Sequence, residues 1–412
     1  MGRINAVQGP GGSLDVHTVN GLCLEWVSEG TPGVSDPGRE IGDPEIVRRV
    51  TRFRMLTVVG ARPQFVKAAA ISRALAARDD IAEILVHTGQ HFDPAMSRVF
   101  FDELGIAAPL VNLGIHGGDH GAMTGRMLTG IEEVILAERP DLVLVPGDTN
   151  STLAGALAAA KQHVPVAHLE AGLRSFNRAM PEEINRVLTD HVSALLLCPT
   201  ETAIENLRRE GVAHGVHDIG DVMYDATLFA AAEARGSPVL DRLGLTGRPY
   251  AVATVHRAES TAERDTLAAI IGFLTERARD CAVVLPLHPR TRQQIARWRL
   301  DLGPIVACEP LGYLDMHRLL QSALAVYTDS GGLQKEAYFH RVPCVTLRSE
   351  TEWVETVAAG WNRLWQGPDY APRRDIAAYG DGHAAERAID IIVSYLEQRA
   401  ECRATAASAQ SS

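Results

Sequence analysis

Short apolar runs and longer amphipathic stretches alternate along most of this 412-residue chain. Met55–Val59 reads as a strand and Gln64–Ala77 as a helix, then Ile84–His87 as a strand and Met123–Ala137 as a helix. Leu142–Val145 and Val164–His168 are strands on either side of the small-residue helix Ser151–Gln162, and the strand Ala194–Cys198 leads into the helix Glu201–Glu210. Repeated β-α alternation predicts a parallel sheet with helices on both faces. The pattern breaks between Ala230 and Pro249, at Gly236-Ser237-Pro238 and Gly247-Arg248-Pro249, and then restarts. Tyr250–Val255 is a strand, Thr261–Ala278 a helix and Ala282–Pro286 a strand; Pro304–Cys308, Ala323–Tyr327 and Pro343–Leu347 follow as short strands.

This predicts an α/β chain of two doubly wound units, residues 53–235 and 236–383, with a hinge near 230–249. Open α/β sheets bind ligands beyond the carboxyl ends of their strands, so the two units should share a cleft. Residues 384–412 are expected to be an amphipathic helix, Ala384–Arg399, with a frayed polar tail at Ala404–Ser412. Residues 1–52 scatter Gly, Pro, Ser and Asp without a sustained period, which predicts a poorly ordered extension; a docked strand or helix is the alternative.

Composition narrows the function. The net charge is −11, from 40 basic and 51 acidic residues. An acidic surface argues against nucleic acid or an anionic membrane as a bulk partner, though one pocket can still be basic. No apolar run approaches the ~20 residues of a membrane span, and the absence of an export pattern points to the cytoplasm. Cys23, Cys198, Cys281, Cys308, Cys344 and Cys402 are far apart with no CxxC pair, the pattern of reduced thiols.

Unusual polar residues cluster just after the predicted strands. Gly60-Ala61-Arg62-Pro63 follows the first, with Lys67 one helical turn on; Gly147-Asp148-Thr149 and Glu170-Ala171-Gly172-Leu173-Arg174 follow two others. In the second unit His256-Arg257 and Asp329-Ser330-Gly331-Gly332 do the same. At Ser330, Gly331 and Gly332 a helix begins where glycine lets backbone N–H groups approach a ligand, so a phosphate fits there. Arg62 and Lys67 are cations for a diphosphate, and Glu336 lies one turn further on, where its two oxygens suit a ribose diol.

Asp148, Glu170 and Glu182 are carboxylates beside apolar strands, candidates for acid–base work. Each also has a structural alternative: a helix N-cap for Asp148, a salt bridge to Arg174 for Glu170, and a first-turn dipole role after Pro181 for Glu182. Arg186, four residues after Glu182, is placed to orient it. The pairs His87/His91 and His116/His120 have zinc-like spacing but fall at a strand end and in a Gly-rich loop, without the Glu of HExxH. A metal site is not expected.

From Met55 to about Gln366 the chain resembles the non-hydrolysing UDP-N-acetylglucosamine 2-epimerase family. Gly60–Lys67, Thr88-Gly89-Gln90-His91, Gly147-Asp148-Thr149, His168–Arg174, Pro181–Arg186, His256-Arg257 and Asp329–Glu336 carry the likeness, in the family's order. The resemblance implies a GT-B-type architecture, two Rossmann-like domains closing on a UDP-sugar, and a homodimer. It implies catalytic roles for Asp148, Glu170, Glu182 and His256. Substrate contacts are implied for Arg62, Lys67, Ser330, Gly331, Gly332 and Glu336, and Arg186 and Arg257 join this set by position. The expected reaction exchanges the gluco and manno forms at C2 by loss of UDP, a 2-acetamidoglucal and re-addition, with no cofactor. A hydrolysing relative that frees ManNAc, a GT-B glycosyltransferase and a silent UDP-sugar sensor are the alternatives.

Three positions depart from the common pattern: Gln64 and Lys335 stand where many members carry Glu, and Trp353 where many carry Arg. The string Gly312-Tyr313-Leu314-Asp315-Met316, with Phe65, Phe176 and Lys335-Glu336-Ala337-Tyr338, looks more like the subgroup acting on UDP-2,3-diacetamido-2,3-dideoxyglucuronate. A carboxylate at C5 asks for an extra cation, and Arg178, Lys335 and Arg348 are candidates. The regulation of some members near Gln90-His91 is not carried over, because Phe92-Asp93-Pro94 differs from their pattern.

Overall fold

The structure is a computed structural model that describes residues 17–19, 22–24, 52–90, 103–106 and 109–410. Within the extension, His17–Val19 and Leu22–Leu24 form an antiparallel pair. The remaining expectation for residues 1–51, and His91, lie outside the described residues.

Seven parallel strands make the first sheet. Across it they run Val111–Asn112, Ile81–His87, Phe53–Val59, Leu142–Pro146, Val166–Leu169, Leu195–Cys198 and Val216–Asp218. Six parallel strands make the second: Val306–Cys308, Ala282–Pro286, Tyr250–Thr254, Val326–Thr328, Cys344–Thr346 and Asn362–Leu364. The central runs are apolar and buried on both faces, as at Leu142–Pro146, because helices cover a parallel sheet on both sides.

In both sheets the first strand in sequence lies inside, and the order reverses beside it. The reversals fall between Phe53–Val59 and Leu142–Pro146, and between Tyr250–Thr254 and Val326–Thr328. Four of the five polar clusters leave these four strands at their carboxyl ends. The two-domain Rossmann-like, GT-B-type expectation therefore holds, and its topology explains why the clusters are where they are.

Several details differ from the sequence reading. The helix expected at Thr261–Ala278 is two, Ala258–Thr261 and Arg264–Arg277. The short edge strands Val111–Asn112, Val216–Asp218 and Asn362–Leu364 carry too few residues to show a period. The terminal helix runs from Ala384 to Gln410, so residues 404–410 are helical rather than frayed. Alanine-rich sequence favours this, and Thr405 Oγ1 donates to the Glu401 carbonyl at 2.9 Å. No helix among the described residues is long and apolar enough to cross a membrane.

This last helix returns to the first domain. Ala384, Ala388, Ile389, Ile392, Val393 and Leu396 recur at helical spacing and join one buried core with Met55, Phe65 and Ile71. The chain thus closes on itself after the second sheet. Ile389→Ala should lower unfolding stability by about 2–5 kcal/mol, measured by urea denaturation. A loss under about 1 kcal/mol would show that the helix is not part of this core.

Candidate active site

The site starts from the turns that end the strands. Gln64 ties two of them together. Its Oε1 accepts N–H groups of Gly60 and Ala61 at 2.8 and 3.1 Å, and its Nε2 donates to the Pro146 carbonyl and Thr152 Oγ1 at 2.8 and 3.0 Å. A glutamate would set an acceptor against the Pro146 carbonyl, so the amide fits this pair of loops.

A second knot is buried under the carboxylates. His168 faces Asp190 through Nδ1 at 2.6 Å and the Gly147 carbonyl through Nε2 at 2.7 Å. Asp190 also accepts from Arg174 at 2.7 Å and from the Gly172 N–H at 3.1 Å, and Arg174 continues to Glu210 at 2.7 Å. Both nitrogens of His168 face oxygen atoms, and the ring bridges the loops that bear Asp148 and Glu170. Arg174 is therefore engaged with Asp190 and Glu210, and the Glu170–Arg174 bridge considered as the structural alternative does not form.

Glu170 itself adopts φ +74°, a left-handed backbone that costs a non-glycine residue strain. Its carboxylate pairs with Lys67 of the first domain and, at 3.1 Å, with Lys335 of the second. Lys335 is 1% exposed and also pairs with Asp221 at 2.6 Å. The indole of Trp353 covers its ammonium at 3.9 Å. Burial pushes Glu170 upward, but the two lysines more than reverse this and hold its pKa at about 2.

Asp148 pairs with Arg186, which also reaches Glu183 at 2.7 Å. The helix Asn150–Lys161 is capped by Thr149, whose Oγ1 accepts the Thr152 N–H at 3.3 Å, so the cap role considered for Asp148 belongs to its neighbour. Glu182 stands exposed in the first turn of Pro181–Val192. Arg186 does not orient Glu182, because the residue beside it is the partner. Glu183 accepts N–H groups of Ser175 and Phe176 at 2.9 Å each and fastens the loop before the helix.

In the second domain Asp329 organises the end of Tyr250–Thr254. One of its oxygens accepts the N–H groups of His256 and Arg257 at 2.9 Å each, and the other lies 3.2 Å from His256 Nδ1. This turns His256 Nε2 away from Asp329. Ser330 caps the helix Gly331–Phe339. A side chain at Gly331 would collide with the Glu352 carboxylate, whereas Gly332 faces open space. Glu352 is held by Arg348 at 2.9 Å and lies 3.7 Å from Arg257.

Arg62 connects the two halves. Burial lowers its pKa, and Glu336, Tyr313 and Glu103 oppose this. Burial raises Glu336 to about 7 against the pull of Arg62 and Lys335. Across the same boundary Glu103 accepts the N–H groups of Tyr313 and Leu314 at 2.7 and 3.3 Å, at the start of the helix Tyr313–Leu320. The structure thus draws Arg62, Lys67, Glu170 and Glu336 into one charged region. It keeps Asp148 with Arg186, His256 and Arg257 with Asp329, and leaves Glu182 apart. Sequence reasoning placed Glu183 and Asp190 on the helix after Pro181 without a role and passed over Asp221 and Glu103, because pairing between distant segments leaves no local spacing to read. Asp329 lay in a quoted motif without a role.

A family model described as UDP-N-acetylglucosamine 2-epimerase matches residues 73–393. The chain is 55% identical over 317 residues to UDP-2,3-diacetamido-2,3-dideoxy-D-glucuronate 2-epimerase of Pseudomonas aeruginosa, covering 76% of this chain and 88% of that protein. It is 52% identical over 319 residues to a UDP-N-acetylglucosamine 2-epimerase homolog of Methanococcus maripaludis, with the same coverage. The crystal structure of Methanocaldococcus jannaschii UDP-GlcNAc 2-epimerase in complex with UDP-GlcNAc and UDP superposes with a TM-score of 0.76 at 40% identity, over 83% of this chain and 99% of that one.

The buried knot makes its own prediction. Asp190→Ala takes the shared acceptor from His168, Arg174 and the Gly172 N–H, and each buried donor left unpaired costs about 1–3 kcal/mol. Chemical denaturation should show this loss. A change below about 1 kcal/mol would mean that the knot does not support the site.

Proposed function

The chain belongs to the UDP-N-acetylglucosamine 2-epimerase family, and we propose that it inverts C2 of a UDP-linked 2,3-diacetamido uronate by eliminating UDP and adding it back. It is an isomerase of nucleotide sugars. The observation that carries the chemistry is the 3.1 Å approach of Lys335 to Glu170, because it brings the carboxylates of one domain against the anion-binding helix end of the other.

The C2 hydrogen is not beside a carbonyl, so removing it directly is slow. Elimination solves this. A carboxylate takes the C2 proton, the electron pair of the C2–H bond forms C1=C2, and the C1–O bond breaks to release UDP with its oxygen. Protonation on the opposite face and attack of UDP on C1 complete the inversion. Arg62, Lys67, His256 and the Ser330–Gly332 turn receive the charge that develops on the diphosphate, and Glu336 accepts the ribose hydroxyls. A general base works best with a pKa near the operating pH. Glu170, held at about 2, suits a fixed negative charge that opposes the positive charge growing at C1. Asp148, held by Arg186, is the group assigned to move the proton.

The choice of sugar rests on the subgroup motifs, the P. aeruginosa relative and the cations left for a C5 carboxylate. Lys335 is taken by Asp221 and Glu170, and Arg348 by Glu352. Arg178 is exposed on the loop that Glu183 fastens, and makes no ion pair among the described residues. It is the residue proposed to meet the uronate.

Proton NMR in D₂O, with each sugar offered separately, tests this. Deuterium should enter C2 of the UDP-linked diacetamido uronate at least about 10-fold faster than C2 of UDP-GlcNAc, the scale of one charged hydrogen bond. Asp148→Asn should slow the exchange by about 10²-fold, and Arg178→Ala should narrow the preference between sugars. Faster exchange into UDP-GlcNAc overturns the substrate assignment, and free sugar as the product overturns the reaction.

A further inference from the structure

Two departures from the common sequence pattern touch each other. Lys335 and Trp353 are two of the positions where the resemblance implies a residue of different charge, and here the Trp353 ring lies 3.9 Å from the Lys335 ammonium. An arginine at 353 would set like charge against Lys335; an indole face accepts it. The ammonium makes two ion pairs, one to Asp221 at 2.6 Å and one to Glu170 at 3.1 Å. Asp221 and Glu170 both belong to the first domain, whereas Lys335 lies on the Gly331–Phe339 helix of the second, one turn after the proposed phosphate turn. The group is almost fully buried, so its contacts are persistent rather than surface pairs.

We propose that Lys335 is a positioning residue that fixes Glu170 in place and charge across the domain boundary, so that the site is complete only when the second domain is seated. This rests on the reading of Glu170 as part of the reacting site. The groups facing Glu170 are Lys67 from the first helix and Lys335 from the second domain, with Asp221 and the Trp353 ring behind Lys335. Lys67 is also one of the cations expected to bind the diphosphate. When substrate draws on it, Lys335 is the cation that stays with Glu170. Asp221 has a second duty as the N-cap of Val222–Glu233, where its carboxylate accepts the Met223 N–H at 2.9 Å. The same carboxylate therefore anchors both Lys335 and the helix that leads toward the second domain.

The test uses Lys335→Met and the double variant Lys335→Met/Asp221→Asn. Asparagine keeps the helix cap and removes the buried charge that the single variant strands. In the wild type two cations lower the Glu170 pKa; without Lys335 it rises, and the acid limb of the kcat profile moves to higher pH. Both variants should lose about 10²-fold in kcat at pH 6 and less at pH 8.5, with KM changed less than about 3-fold. The double variant should regain the melting temperature of the wild type without regaining the acid limb. Recovery of both would overturn the proposal, because Lys335 would then only balance Asp221. An unmoved acid limb in a folded variant overturns it as well. Absence of C2 exchange in the wild type is a different failure, that of the reaction assignment, and is read before any variant is compared.

Discussion

A carboxylate between two lysines sets the character of this molecule. Glu170 is buried, and burial alone would favour its neutral form. Lys67 from the first helix and Lys335 from the second domain reverse that preference. Neither domain supplies both cations. The ionised site is therefore a property of the pair of domains, which gives a physical reason for a two-sheet architecture around a single small substrate. An elimination that passes through free UDP and a glycal needs a site that holds both until re-addition.

Below that pair lies a scaffold of polar groups that do no chemistry. Gln64 joins the first loop to the fourth strand, and the His168–Asp190–Arg174 knot ties the loops that carry Asp148 and Glu170. Such buried polar networks stabilise only when every member is satisfied. Here they place a carboxylate on a strained left-handed backbone and keep it there. Asp329 plays the matching part in the second domain, where one carboxylate fixes two backbone N–H groups and the His256 ring.

Much of the fold was legible because parallel strands buried on both faces leave uninterrupted apolar runs, such as Leu142–Pro146 and Tyr250–Thr254. The polar clusters were legible for a related reason: a charged or glycine-rich turn directly after such a run has little structural excuse. What the sequence hid was pairing. Arg186 was placed with Glu182 by helical spacing, yet it binds Asp148 from another turn and Glu183 beside it. Lys335 read as a spare cation for the substrate, but Asp221, 114 residues away, had already claimed it. Periodicity reports which face a residue occupies, and the partner across that face comes from topology. The edge strands Val111–Asn112, Val216–Asp218 and Asn362–Leu364 and the helical end of the C-terminal tail were missed for lack of length and for misleading polarity.

The central claim is that the C1–O bond breaks during inversion of C2. It is tested most directly with substrate carrying oxygen-18 between C1 and the β-phosphorus. Elimination frees UDP, and rotation of its terminal phosphate spreads the label over equivalent oxygens before re-addition. Label should move out of the bridging position in substrate recovered during turnover, in step with deuterium entering C2. Deuterium at C2 with the oxygen-18 still wholly bridging would contradict the claim.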